Sequence, residues 1–472
     1  MIDIELVGHE YHYEIENIIK VFEGYIQEAK IRSILRDNLC RAEIYQKEQL
    51  IVVKEEEGSL DQKHTKQQLI RTLYHTLCEV TGVKMPWGFL TGIRPTKIVH
   101  EMFEHNMPRE DIKKRLLEFY DIREDKVELM IKVAEKEKSI LEKNQEDEIS
   151  VYIGIPFCPT RCLYCSFTSY AIDHREKQVE GYLDALEKEI IFGGKYSSNK
   201  KIRSIYIGGG TPTALNEDQL ERLLMLVNQH FNVKDAEEFT VEAGRPDTIT
   251  KRKLEILKQY HVNRISINPQ TMNEETLVRI GRKHTTEDIV KVFNWAREIG
   301  HHNINMDLIV GLPGESPEDV KNTMVKIKEL NPDSITVHTM AIKRASRLRE
   351  SLEEYTLTKA EEIEDMIFIT SQGAYDMGME PYYLYRQKNM LGNFENAGYC
   401  KSGKESVYNI EIMEEKETIL ALGAGAITKV VDPITNRIER IPNVKNVEEY
   451  INRIDEMILR KQKGLKDLDN VF

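Results

Sequence analysis

ISVYIGI at residues 149–155, running straight into PFCPTRCLYCSF at 156–167, decides how the rest of the chain is read. A short run dominated by Ile and Val has the length and composition of a strand buried on both faces. Cys158, Cys162 and Cys165 then form a C-x3-C-x2-C array in a loop opened by Pro156. Outward from here the same kind of apolar run recurs in IRSIYIG (202–208), EEFTVEA (237–243), VNRISIN (262–268), HNINMDLIV (302–310) and DSITVHT (333–339). Helical patterns fill the gaps at 178–192, 219–230, 251–260, 274–298 and 320–330. Strands alternating with helices predict a parallel sheet, because parallel neighbours need crossovers of about a dozen residues. The expected fold class is α/β, a partial (β/α)6 TIM-like barrel; an open doubly wound sheet has the same rhythm.

Before this core, residues 1–145 read as a separate N-terminal α+β domain of unassigned role. Its signals are a strand at Ile2–Val7, a helix from His9 to about Gly24, strands at Ala42–Gln46 and Leu50–Val53, and a helix from Gln62 to about Val80. A proline-bracketed segment, Pro86–Pro95, follows, and the charged stretch Glu135–Glu148 reads as a solvated helix and linker. Residues 146–345 hold the β/α core, and 346–472 form a helical and mixed C-terminal extension.

With 40% hydrophobic and 31% charged residues, the 472-residue chain is of globular composition. A net charge of −13 argues against general nucleic-acid binding, which rests on neutralising phosphates. No stretch reaches the ~20 apolar residues of a membrane span, and the N-terminus lacks a signal-peptide pattern, so a cytoplasmic location is expected. Six cysteines in so long a chain are no disulfide framework. Cys40, Cys78 and Cys400 read as buried small hydrophobes.

Ligand chemistry in parallel β/α folds gathers at the carboxyl ends of the strands. Every one of the six ends carries candidates. The cysteine loop follows the first, and Gly208-Gly209-Gly210-Thr211-Pro212 the second. Glu242 ends the third, Asn268 and Gln270 the fourth; Asp307 lies in the fifth and His338 ends the sixth. Thiolates suit iron–sulfur clusters or zinc. With no fourth Cys or His at a matching position a structural zinc site is incomplete, whereas a [4Fe–4S] cluster on three thiolates keeps one iron open. Such an iron chelates the amino and carboxylate groups of S-adenosyl-L-methionine (SAM), and reduction then cleaves the sulfonium to a 5′-deoxyadenosyl radical. Missing side chains at Gly209 and Gly210 let backbone approach the amino-acid moiety. Glu242 and Asp307 suit ribose hydroxyls, and both are also ordinary surface or helix-cap residue types.

YIGIPFCPTRCLYCSF, IGGGTPT, SINPQT, LVRIGRKHT and NMDLIVGLPGE resemble the radical SAM superfamily and, within it, the coproporphyrinogen III oxidase branch. GFLTGIRPTK, YYLYRQKNMLGNFENAGY and LGAGAITK resemble its oxygen-independent coproporphyrinogen dehydrogenases of the HemZ type. The resemblance implies a cluster on Cys158, Cys162 and Cys165. It also implies SAM contacts from Tyr152, Gly209, Gly210, Thr211, Glu242, Gln270, Arg282 and Asp307, with Arg282 on the carboxylate and Tyr164 packed near the cluster. The implied reaction is oxidative decarboxylation of two propionates of coproporphyrinogen III to vinyl groups in haem biosynthesis, with a reductant such as flavodoxin or ferredoxin as partner. The C-terminal region is then expected to cover the substrate.

The family's well-known dehydrogenases carry a further cysteine where this chain has Phe167, and related haem chaperones lack it. Those chaperones carry a His-Asn motif; the nearest match here is Tyr408-Asn409, without the histidine. A haem chaperone, or radical chemistry on another porphyrin, is therefore the alternative. A substrate with four carboxylates needs cations, and the candidates are Arg344, Arg347, Arg349, Arg386 and Lys388, with Arg94 and Lys97 behind them.

Overall fold

The computed structural model describes the chain apart from residues 1, 27, 59–61, 146, 167–169, 173–174, 344–345, 351–352, 354, 356, 389, 433–434, 436 and 470–472, and the side chains of 62–63 and 466–469. It divides into two compact units, Met1–Ala134 and Glu135–Phe472.

In the first unit β1 (Ile2–Val7) and α1 (His12–Val21) precede three strands, β2 (Ala29–Arg36), β3 (Leu39–Gln46) and β4 (Gln49–Glu57). They form one sheet in chain order, parallel between β1 and β2 and antiparallel thereafter. The sequence reading passed over β2 because Lys30, Arg32 and Arg36 dilute its apolar alternation; Ala29, Ile31 and Ile34 are nonetheless buried. Helix α2 (Gln62–Thr81) lies on the sheet through Leu69, Leu73 and Leu77, spaced four apart on one buried stripe. Three more helices follow: α3 (Thr96–Glu104), α4 (Arg109–Glu118) and α5 (Glu124–Leu141). The charged stretch expected as solvated is only partly so, since Glu137 and Ile140 are buried.

The second unit opens with β5 (Glu148–Ile155), the short pair β6 (Phe157–Cys158) and β7 (Tyr170–Ala171), and α6 (Glu176–Tyr196). Strand–helix alternation continues through β8 (Lys201–Gly209), α7 (Glu217–His230), β9 (Glu238–Gly244), α8 (Lys251–Gln259), β10 (Arg264–Ile267), α9 (Glu274–Arg279) and α10 (Thr286–Ile299). β11 (Ile304–Val310), α11 (Pro317–Leu330) and β12 (Ser334–Thr339) complete the six expected strands. Helix starts are specified locally: Asn216, Thr285 and Ser316 each cap the third residue of α7, α10 and α11, with Gln219, Asp288 and Asp319 closing reciprocal boxes.

The remainder is α12 (Arg347–Glu350), α13 (Ala360–Asp376), β13 (Glu380–Tyr385), β14 (Asn396–Cys400), α14 (Val407–Glu414), β15 (Thr418–Leu422), β16 (Ile427–Val431), β17 (Ile438–Pro442), α15 (Val447–Asn452) and α16 (Ile454–Asp469). One sheet of eleven strands runs β13-β14-β12-β11-β10-β9-β8-β5-β15-β16-β17. The barrel is thus partial, with β5 and β12 unpaired to each other. The segment after residue 345 shares this sheet and this compact unit: β15 adds a parallel strand beside β5, and β14 closes antiparallel on β12.

Alternation along the parallel strands separates two environments. Val151, Ile153, Ile205, Ile207, Phe239, Val241, Ile265, Met306, Leu308 and Val337 form the apolar row and are all buried. The other row is polar. In register across the sheet it reads Ser150, Ser204, Glu238 and then Tyr152, Tyr206, Thr240, Arg264, with Ser266, Asn305 and Ser334 beyond. These groups satisfy one another: Ser150 and Ser204 Oγ are 2.6 Å apart, Thr240 donates to Glu238 at 2.7 Å, and Asn305 Nδ2 donates to Ser266 Oγ at 3.0 Å. A polar lining of this kind leads towards chemistry at the strand ends.

Candidate active site at the strand ends

A cavity of about 580 Å³ opens on the polar row. It is lined by Cys158, Cys162 and Cys165 together with Tyr152, Tyr164, Gly209, Gly210, Thr211, Glu242, Gln270, Arg282 and Asp307. The structure therefore brings together every cluster and SAM candidate read from the sequence, with Asn268 and His338 beside them.

The cysteine loop is held from several sides. Cys165 N–H donates to Cys162 O at 3.2 Å, closing a tight turn, and Leu163 N–H donates to Ile280 O at 3.0 Å. Thr211 Oγ1 lies 3.4 Å from Cys158 Sγ. Arg245, just past β9, donates to Thr160 O at 3.1 Å and Oγ1 at 2.7 Å and lies 3.8 Å from Cys162 Sγ. Asp247 fixes that guanidinium through two contacts, at 2.7 and 3.0 Å.

The glycines make a cradle. Gly209 has φ +105°, a left-handed backbone that disfavours a side chain. A Cβ on Gly210 would stand 2.5 Å from Phe157 O and 2.9 Å from Ile155 O. Opposite, Arg282 donates to Tyr164 Oη at 2.9 Å and Asn268 O at 3.4 Å, while its buried Nε has no partner among the described residues. Three soft thiols, a side-chain-free backbone shelf and a buried guanidinium with donor capacity to spare match a cubane cluster and an amino-acid carboxylate.

Two carboxyl groups share the cavity in opposite states. Burial pushes Glu242 up to about 7, against the hydrogen bond it accepts from Tyr206 Oη at 2.6 Å and with a further push from Asp307. Asp307 is buried too, but His338 and Asn305 outweigh that and hold it below the usual range; Asn305 Nδ2 donates to it at 2.8 Å. Tyr152 stacks on Tyr206 and Tyr408, ring centroids 6.3 and 6.0 Å away, and burial pushes its hydroxyl above the ordinary tyrosine value.

The cations expected for substrate fare differently. Arg386 is buried and spends its guanidinium on Asn393, donating to O at 3.0 Å and Oδ1 at 2.6 Å, so it braces the turn before β14. Arg347, Arg349 and Lys388 are exposed and do not line the cavity, and Arg344 lies outside the described residues. Arg94 and Lys97 belong to the first unit. Cys40 and Cys400 are buried as read, whereas Cys78 is half-buried. The sequence reading missed Arg245, Arg264, Asn305, Lys343, Tyr385 and Gln387, all of which line or brace the cavity. For Arg264 and Asn305 a signal existed, a polar residue inside an otherwise apolar strand.

Fold and site together define the radical SAM class, and the radical SAM superfamily model matches residues 152–327. The chain is 41% identical over 393 residues to the oxygen-independent coproporphyrinogen-III oxidase-like protein HemZ of Bacillus subtilis (strain 168), covering 82% of this chain and 78% of that protein. It is 32% identical over 311 residues to the heme chaperone HemW of the same organism, covering 65% of this chain and 76% of that protein. Among solved structures it is similar to coproporphyrinogen III oxidase (HemN) from Escherichia coli, a radical SAM enzyme, with TM-score 0.52 and 26% identity over 69% of this chain and 73% of that one. The chain belongs to the HemZ/HemN family of radical SAM proteins, a family that carries a [4Fe–4S] cluster and SAM. Among the described residues no helix is long and apolar enough to cross a membrane.

Proposed function

We propose that this chain is an oxygen-independent coproporphyrinogen III dehydrogenase, converting two propionate side chains to vinyl groups with loss of CO2. When bound, the cluster and SAM supply a one-electron cleavage that delivers a hydrogen-abstracting adenosyl radical. The chain's own residues bind and orient. Cys158, Cys162 and Cys165 hold the cluster, Arg282 takes the SAM carboxylate, the backbone of Gly209 and Gly210 takes the amino group, and Glu242 and Asp307 accept from ribose hydroxyls. Tyr152 packs at the first strand end and Tyr164 beside the last cysteine, where they exclude water. The hydrogen leaves the propionate β-carbon, CO2 departs, and the remaining electron passes to an acceptor. A small reducing protein such as flavodoxin or ferredoxin serves as donor.

The observation that carries the enzyme reading is Tyr408. It stands where chaperones of the family carry a histidine, yet it is buried between Tyr152 and Tyr206, with ring centroids 6.0 and 4.4 Å away. Burial pushes its hydroxyl well above the usual range and disfavours the phenolate, so it is a poor substitute for a histidine ligand to haem iron. The HemW likeness and the absence of a further cysteine at Phe167 favour the second reading, a haem chaperone. Anaerobic incubation of reconstituted protein with reductant, SAM and coproporphyrinogen III separates them. The enzyme yields protoporphyrinogen IX with stoichiometric 5′-deoxyadenosine; stable haem binding and no decarboxylation establishes the chaperone instead.

A further inference from the structure

Four Lys and Arg side chains line the cavity among the described residues: Arg245, Arg264, Arg282 and Lys343. Three are committed. Arg245 is paired with Asp247, Arg264 lies in the field of Glu238 and Asp307 and donates to Ser334 Oγ at 3.4 Å, and Arg282 is hydrogen-bonded to Tyr164. Lys343 differs. It follows β12, after Met340 and Ala341, is half-buried, and has no anionic or hydrogen-bonding partner for its Nζ among the described residues. The carboxylates on the same cavity are engaged elsewhere, Glu242 with Tyr206 and Asp307 with Asn305. Burial holds the ammonium below the ordinary lysine range.

The surroundings of Lys343 narrow what its counter-charge is. The cavity that Lys343 lines is also lined by the apolar Ile309, Met340 and Ala341 and by Tyr385 and Gln387 at the end of β13, Gln387 Nε2 donating to Tyr385 Oη at 3.2 Å. A ligand here presents apolar surface and a terminal anion together. The cations named from the sequence leave this position empty-handed, since Arg347, Arg386 and Lys388 do not line the cavity.

We propose that Lys343 is the anchor for a propionate carboxylate of the tetrapyrrole, fixing which edge of the macrocycle faces the cluster. The assignment rests on the proposed substrate class and deepens it. A burial-assisted ammonium–carboxylate contact is a specificity device as much as an affinity one, because a neutral side arm leaves the cation desolvated and unpaired.

Fluorescence titration of reconstituted, SAM-loaded protein with coproporphyrin III tests this, using the unmodified chain, Lys343→Met and Lys343→Arg. Binding is expected to weaken about 30-fold in Lys343→Met and to recover to within about threefold in Lys343→Arg, which keeps the charge. SAM affinity is read in parallel and separates the porphyrin carboxylate from the carboxylate of SAM as the partner. If Lys343→Met binds the porphyrin as tightly as the unmodified chain, or loses SAM affinity in place of porphyrin affinity, the assignment is overturned while the tetrapyrrole reading stands. If the unmodified chain binds no porphyrin, both are overturned.

Discussion

Replacing Glu242 with Gln removes the cavity carboxyl whose environment sets it near neutrality. Burial pushes its pKa up to about 7, with Asp307 adding to the rise and Tyr206 and Arg264 opposing it. The ordinary glutamate value is near 4.3. The raised pKa means that the protonated form is favoured below about 7 and the carboxylate only above it. Ribose hydroxyls need an acceptor, so SAM binding that requires the carboxylate strengthens as pH rises. About a tenth of the sites are ionised at pH 6 and about nine-tenths at pH 8, which makes apparent SAM affinity roughly tenfold tighter at pH 8, or about 1.4 kcal/mol. Gln keeps the shape and one acceptor oxygen but does not titrate. Glu242→Gln is expected to bind SAM about tenfold more weakly at pH 8 and to lose the slope. Equilibrium binding of labelled SAM to anaerobically reconstituted protein from pH 6 to 8 is the assay. A flat profile in the unmodified protein, or a tenfold slope that persists in Glu242→Gln, refutes the reasoning and assigns the titration to SAM's own amino group or another residue.

In the first unit His75 Nδ1 contacts Glu56 and Nε2 contacts Asp121, each at 2.8 Å, and these hydrogen bonds raise its pKa to about 9. This is a raised folded-state value, so about 3 kcal/mol of stability is fully present below ~6.5 and lost as pH rises through about 9; Trp87 fluorescence in a Trp295→Phe background reads it, and His75→Gln should abolish the dependence. Gly210→Ala places a Cβ 2.5 Å from Phe157 O, so SAM binding should fall at least tenfold with cluster content retained, measured by SAM titration beside iron analysis. Lys461 on α16 is fully buried, 2.7 Å from Glu189, which also accepts from Tyr450 and Gly423 N–H. Lys461→Met leaves that buried carboxylate without its counter-ion and should cost about 3–5 kcal/mol in denaturant unfolding.

The β/α rhythm was legible because each strand is short, apolar and followed by a helix with its own cap, and local signals of that kind survive without tertiary context. The cluster loop and the glycine shelf were legible for a related reason: cysteine spacing and missing side chains carry chemistry at the level of residue type. What stayed hidden depends on partners distant in sequence. β15 lies beside β5 although more than 260 residues separate Ile149 from its partner Thr418; its apolar run TILAL suits a buried strand but does not say which neighbour it pairs with. Arg245 carries no local signal in the sequence; its role comes from Asp247 and Cys162 around it. Among the substrate cations, abundance near the sixth strand pointed to Arg344, Arg347 and Arg349, but helical phase puts Arg347 and Arg349 outside. Arg386 lies off the cavity lining for a different reason: its buried guanidinium is hydrogen-bonded to Asn393 O and Oδ1.

The most direct test is spectroscopic. Anaerobically reconstituted, reduced protein should give an iron–sulfur electron paramagnetic resonance signal whose g-values shift when SAM is added, and replacing Cys158, Cys162 and Cys165 together with Ala should remove it. Zinc bound at those thiols, or a signal indifferent to SAM, contradicts a three-thiolate cluster with one iron open.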